Sequence, residues 1–190
     1  MSVYWNRLRY VLSPQFDIYV EASRRVRGKV ADVGSGTGFG AHILTRNAKR
    51  VDGYEFDTDA RDFAQTCFAN GHITFFPGDI TNPMFLTLLP RKYNWVTMID
   101  VIEHIQDDNA AVANVAGMLE LGGAFICSTP NKLSRYRKSE NHVREYSQDE
   151  LKSLLKRCFK RVVICDYRLR ISESEYDNPI VAVCSQGVIR

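Results

Sequence analysis

No window of the 190-residue chain approaches the ~18 consecutive apolar residues of a membrane-spanning helix, so no such helix is expected. Residues 1–7 lack an apolar core followed by a small-residue cleavage site, so no secretory signal is expected either. The five cysteines, at 67, 127, 158, 165 and 184, are scattered, odd in number and without a C-x-x-C pair. That pattern speaks against a disulfide framework or a zinc knot. It fits buried small thiols in a reducing, cytoplasmic setting. Charge of one sign is also scarce. A formal net charge of +3 is too small to imply a nucleic-acid partner by itself. Repeats, low-complexity tracts and linkers are missing, so residues 1–190 read as one domain with a single sizeable core.

What the chain does have is concentrated first at residues 30–40, Val-Ala-Asp-Val-Gly-Ser-Gly-Thr-Gly-Phe-Gly. A short apolar run with β-branched residues ends in alternating glycines, and Ala41, His42, Ile43 and Leu44 continue as a helix. This is a buried strand, a tight turn and a helix opening. Glycine allows positive φ and the close approach of a ligand, and the new helix presents unpaired N–H groups. The spacing is G-x-G-x-G. The dinucleotide fingerprint G-x-G-x-x-G fails because Phe39 stands where its last glycine belongs. Asp32, at the strand end, disfavours a diphosphate and favours a ligand that carries an ammonium group.

The rest of the chain supplies a sheet to hold that turn. Ser13-Pro14 opens a helix over about 14–25. With it, residues 1–27 form an N-terminal helical cap beside the sheet edge and over the ligand mouth. Strands are expected at 29–33, 51–57, 72–76, 94–100, 124–128, 162–165 and 180–184. Helices are expected at 38–47, after the Asp57 cap, after 105 until Leu121-Gly122-Gly123 stops it, and after the Ser147–Glu150 capping box. Residues 84–93 and 167–179 read as connectors. Alternating strands and helices demand a doubly wound α/β fold with a seven-stranded, mostly parallel sheet. The short last connector makes the final strand antiparallel.

Acidic residues end the strands at the ligand side. Glu55 lies about twenty residues past the first glycine, at the tip of the second strand, where a carboxylate accepts both ribose hydroxyls of a nucleoside. Asp79 follows the third strand and is suited either to an exocyclic amine of adenine or to turn chemistry. Residues 131–146 have no periodicity and leave a strand's carboxyl end. They read as a substrate lid, and their Arg135, Arg137 and Lys138 suggest an anionic acceptor.

VADVGSGTG (30–38), VDGYEFD (51–57), GDI (78–80), YNWVTMIDVIEHI (93–105), LGGAFICSTPN (121–131) and HVREYSQDEL (142–151) together resemble the class I S-adenosylmethionine-dependent methyltransferases, from about residue 29 to 185. The wording is similar to the quinone-biosynthesis O-methyltransferase-like branch. The resemblance implies a Rossmann-like methyltransferase fold, S-adenosylmethionine as cofactor and S-adenosylhomocysteine as product. It implies Asp32 near the methionine ammonium, and Gly34, Ser35, Gly36 and Gly38 under the methionyl part. It further implies Glu55 on the ribose, Phe56 on the adenine, Asp79 and the Ile80 amide at the adenine edge, and Asp100 with Val101 on the far wall.

His142, in the lid, and His104, at the fourth crossover, are the general-base candidates, and each is equally readable as a structural histidine. The spacing of Asp100, Glu103 and His104, with His142 later, also resembles the acid–histidine sets of metal-using branches. It offers a Mg²⁺ or Mn²⁺ site as an alternative to a metal-free reaction. The expected function is methyl transfer to a small-molecule acceptor, at a hydroxyl oxygen. An RNA 2′-O-methyltransferase and a non-catalytic S-adenosylmethionine-binding subunit are the alternatives.

Overall fold

The computed structural model describes residues 14–134 and 139–185. In chain order the elements are α1 (Pro14–Arg25), β1 (Lys29–Val33), α2 (Phe39–Leu44), β2 (Arg50–Glu55), α3 (Thr58–Phe68), β3 (Ile73–Pro77), β4 (Tyr93–Ile99), α4 (Asp108–Met118), β5 (Leu119–Thr129), α5 (Gln148–Leu155), β6 (Arg161–Cys165) and β7 (Ile180–Ser185). Single 3₁₀ turns at Phe85–Leu88 and Ile102–His104 punctuate the loops before and after β4. The connector expected over 84–93 thus carries one turn and no crossover helix.

The seven strands form one sheet in the order β3-β2-β1-β4-β5-β7-β6. The pairs among β1 to β5 are parallel, and β7 runs antiparallel to both β5 and β6. The order reverses between β1 and β4, so the loops leaving these two neighbours diverge and open a crevice at their carboxyl ends.

Alternation along β1 shows why both faces must be covered. Val30 packs with α1, α2 and α3, while Ala31 and Val33 pack with α4 and α5. Both faces are mainly apolar, and each buries one strand carboxylate. On one face Asp52 is fully buried, paired with Arg50 and Arg91 and accepting the Tyr93 hydroxyl at 2.9 Å. The other is Asp32. Three of the five cysteines are buried as expected, but Cys67 is exposed on α3 and Cys158 is half-buried.

One boundary differs from expectation. The Gly122-Gly123 pair does not stop α4, which ends at Met118. Leu119 already pairs with Tyr93, the register then shifts, and the ladder resumes at Trp95 with Ala124. Residues 120–123 bulge outward, with Gly122 at φ +78° and Leu121 fully exposed. The glycines serve the bulge.

α1 lies against α2, where a Cβ on Gly40 would meet three atoms of the Tyr19 ring at 2.1 to 2.5 Å. Alanine normally stabilises a helix by about 1 kcal/mol over glycine. Overpacking costs about 1–3 kcal/mol, and a rigid ring cannot yield as a flexible chain end does. Gly40→Ala is therefore expected to lower the urea midpoint and loosen α1; a raised midpoint would show that α1 shifts freely.

Candidate active site

The crevice is built around the turn that leaves β1. Gly34 and Ser35 both donate backbone N–H groups to the Tyr54 carbonyl of β2, at 2.8 and 3.2 Å, and Gly38 donates to the Ser35 carbonyl at 2.9 Å. Gly34 sits at φ +67°, and a Cβ there would fall 2.5 Å from a Val101 methyl. Only glycine meets both conditions. Gly36 has open space where a side chain would be. The Glu55 carboxylate accepts the Gly36 N–H at 2.7 Å with one oxygen and the Asp57 N–H at 2.8 Å with the other. It thereby ties the turn to the tip of β2. Ser35 Oγ is buried and, among the described residues, is a buried polar side-chain atom without a hydrogen-bond partner.

Two cavities meet at Gly34. The larger, about 570 Å³, is lined by Glu55, Phe56, Asp79, Ile80, Val101 and His104, with residues 105–107. Phe56 is 77% exposed beside it, an apolar ring in search of a flat partner. Asp79 accepts the Thr81 N–H at 2.8 Å, so the turn chemistry expected of Gly-Asp is realised, and its carboxylate still lines the cavity. The smaller, about 150 Å³, lies under α1 between Gln15, Phe16, Tyr19, Ser35 and Asp100. Phe39, which broke the dinucleotide spacing, stacks on Phe16 at 5.8 Å and so helps hold α1 over the turn.

Asp32 is held in the sheet beneath the glycine turn. It lines neither cavity. Its side chain is fully buried and accepts the Thr97 hydroxyl at 2.6 Å and the Tyr19 hydroxyl at 3.1 Å. It anchors α1 to the sheet beneath the glycine turn. Burial pushes its carboxyl up to about 7, against the pull of the two hydroxyls.

Asp100 takes φ +52°, a left-handed conformation that Asp tolerates better than most residues. Ser128 holds it there. The Ser128 hydroxyl donates to Asp100 Oδ1 at 2.5 Å and accepts the Asp100 N–H at 3.1 Å. Burial raises the Asp100 carboxyl above its ordinary range. Beyond it, His104 and His142 stand edge to face with ring centres 5.0 Å apart. His104 Nδ1 is 2.9 Å from the Asn141 carbonyl and His142 Nδ1 is 3.3 Å from Glu145. Carbonyl and carboxylate oxygens only accept, so each neutral ring carries its proton on Nδ1 and keeps a basic Nε2. Glu103 is buried, accepts the Thr129 hydroxyl at 3.0 Å, and is raised to about 8 by burial and by nearby Asp100. Ligand atoms of Glu103, His104 and His142 lie within 4.8 Å of one another. Asp100 is not among them, and its Oδ1 accepts the Ser128 hydroxyl.

A family model described as a methyltransferase domain matches residues 4–158. The chain belongs to this family. A probable S-adenosylmethionine-dependent methyltransferase of Mycolicibacterium smegmatis is 28% identical over 158 residues, 80% of this chain and 57% of the relative. A ubiquinone biosynthesis O-methyltransferase of Coxiella burnetii is 25% identical over 126 residues, 65% of this chain and 53% of that protein. The chain thus spans about half the length of these curated relatives. A solved S-adenosylmethionine-dependent methyltransferase from Clostridium acetobutylicum superposes with a TM-score of 0.72 at 16% identity, over 97% of this chain and 99% of that one. S-adenosylmethionine is the methyl donor in the names of two of these relatives.

The methyltransferase domain also depends on residues that sequence reasoning passed over. Asn114 of α4 donates to the carbonyls of Ile80 at 2.7 Å and Asn82 at 3.1 Å, and so pins the loop that borders the larger cavity. A polar side chain among Ala, Val and Met on a buried face was the available signal. Tyr19 and Ser128 had none, because their partners are remote in sequence. Arg135, Arg137 and Lys138, on which the anionic-acceptor reading rests, lie outside the described residues, as do residues 1–13 of the expected N-terminal cap.

Folded Asp32 holds a proton between 3.8 and about 7 that the unfolded chain releases. Stability therefore falls as pH rises through that window. Asp32→Asn keeps an oxygen for the Thr97 and Tyr19 hydroxyls but has no charge to bury. Urea denaturation across that pH range should show the variant losing less stability than the natural chain. Parallel profiles would mean that Asp32 does not titrate there.

Proposed function

We propose that this domain transfers the methyl group of S-adenosylmethionine to a hydroxyl of a small-molecule acceptor, with His142 as general base and His104 beside it. The observation that carries the reading is the pair of cavities meeting at Gly34, with His104 lining the larger one and the His142 ring centre 5.0 Å from that of His104. The residues present fit the cofactor. Ser35 Oγ is a buried polar atom in need of a partner, and Gly36 leaves backbone open to an approaching ligand. Glu55 keeps lone pairs for ribose hydroxyls after serving Gly36 and Asp57. Asp79 and the Ile80 amide border the space for an adenine edge, and Phe56 offers it a face. Gly34, Ser35, Gly36 and Gly38 would cradle the methionyl part, with Asp100 and Val101 on the far wall. The bound cofactor supplies a methyl group already activated by a sulfonium.

What remains for the chain is positioning and proton removal. Well-oriented reactants can supply up to ~7–11 kcal/mol of the barrier reduction. Glu145 orients the His142 ring through Nδ1, leaving Nε2 to take the hydroxyl proton. His104, its Nδ1 bound to the Asn141 carbonyl, is held next to it.

The clustering of Glu103, His104 and His142 favours one second reading, a divalent metal that holds the acceptor oxygen in place of a free base. A buried carboxylate with two imidazoles suits Mn²⁺ better than Mg²⁺.

Four measurements test these readings. Calorimetry should detect S-adenosylmethionine and no NAD; the reverse would sink the donor assignment. Glu55→Ala removes two charge-assisted bonds, each worth ~1.5–3 kcal/mol, and should weaken cofactor binding by at least about a hundredfold. Turnover of a panel of hydroxyl acceptors with labelled cofactor should fall ~10²–10⁴-fold in His142→Ala while cofactor affinity stays put. Mn²⁺ titration of the natural chain and His104→Ala separates the two readings: heat only in the natural chain supports the metal, and heat in neither supports the free base.

A further inference from the structure

Residues 139–146, the return arm of the expected lid, are strapped to the turn that leaves β4. The Glu103 carbonyl accepts two consecutive N–H groups, from Val143 at 2.8 Å and Arg144 at 3.1 Å. Asp108, at the start of α4 and 2% exposed, takes the Tyr146 hydroxyl at 2.9 Å and pairs with the Arg144 guanidinium. Tyr146 is itself buried, and its carbonyl accepts the Lys132 N–H at 3.0 Å, which closes the base of the loop. His142 lies between these fixed points.

The other side of the same turn faces the larger cavity. Val101 and residues 104–107 line it, and Asp108 is the next residue. One short segment is therefore both the wall of the donor cavity and the dock of the arm that carries the base. Asp108 lines neither of the two cavities that meet at Gly34; it opens, with Arg144 and Tyr146, on a separate one of about 500 Å³, and it was not among the candidate residues read from the sequence.

We propose that Asp108 is a positioning residue. Through Tyr146 and Arg144 it registers the arm bearing His142 against the wall of the donor cavity, so that donor binding steadies the base before the acceptor arrives. The donor half of this statement rests on the function proposed above. The mechanism is thermodynamic linkage. A ligand that favours one setting of residues 101–108 also favours the docked arm, and the docked arm returns the same factor in ligand affinity.

Amide hydrogen exchange at Val143 and Arg144 reads the strap directly, with S-adenosylhomocysteine as the probe. Saturating probe should slow both amides in the natural chain. Tyr146→Phe deletes one hydroxyl and leaves the ring packed. It should speed both amides in the free protein about tenfold, the size of one hydrogen bond to a charged group. It should also abolish most of the slowing by the probe. Asp108→Asn keeps an acceptor for Tyr146 and should restore part of that response, whereas Asp108→Ala should not. A role confined to general stability would move the urea midpoint and leave the probe response intact. The proposal is overturned if Tyr146→Phe exchanges like the natural chain, or if the probe binds without slowing either amide. Failure of the probe to bind, read by calorimetry, would overturn the donor assignment; the tenfold change in the free protein would still decide the role of Asp108.

Discussion

Gly34 has no side chain, and a methyl of Val101 occupies the space one would need. Everything at the crevice depends on that contact. It sets how closely the turn after β1 approaches the turn after β4, at the point where the strand order reverses. A larger residue would push the two turns apart and merge the two cavities into an open cleft. With the contact made, they remain separate spaces that share one backbone wall. One is the larger space bordered by Glu55, Phe56 and Asp79, and the other is closed from above by α1.

Two buried carboxylates then divide the work of holding the crevice in shape. Asp32 draws the Tyr19 hydroxyl down and keeps α1 above the turn, while Asp100 is turned into a left-handed conformation by Ser128. Asp32 accepts from the Thr97 and Tyr19 hydroxyls, and Asp100 from the Ser128 hydroxyl and the Gln15 side chain. Burying an acid this way costs stability, and the cost is tolerated because each acid orients an element that lines the site. Asp52 shows the contrasting solution on the opposite face, where two arginines compensate the charge.

The fold was legible in the sequence because its signals are local. The turn 34–38, the cap at Asp57 and the capping box at Ser147 each declare themselves within a few residues, and all three form as read. Glu55 and Asp79 were legible for the same reason, since each sits at a fixed offset from a strand end. The glycine pair at 122–123 misled because the same residues serve a helix stop and a strand bulge, and only pairing with β4 selects the bulge. Tyr19 on Asp32, Asn114 on Ile80 and Asp108 on Tyr146 were invisible. Each joins residues between 13 and 38 positions apart, and no periodicity encodes such a meeting. Residue 100 illustrates the middle case: its place at the strand end was legible, but its capture by Ser128 was not.

The antiparallel course of β7 also decides how this domain can be handled. Ile180 pairs with Thr129 at the crevice end of the sheet, and Ser185 pairs with Ala124 at the far end. The last strand therefore carries the chain away from the crevice. α1 does the opposite, with Gln15 and Phe16 at the smaller cavity. A tether attached beyond Ser185 leaves the crevice clear on a sensor surface or in a fusion protein, whereas one attached just ahead of Pro14 would crowd the smaller cavity.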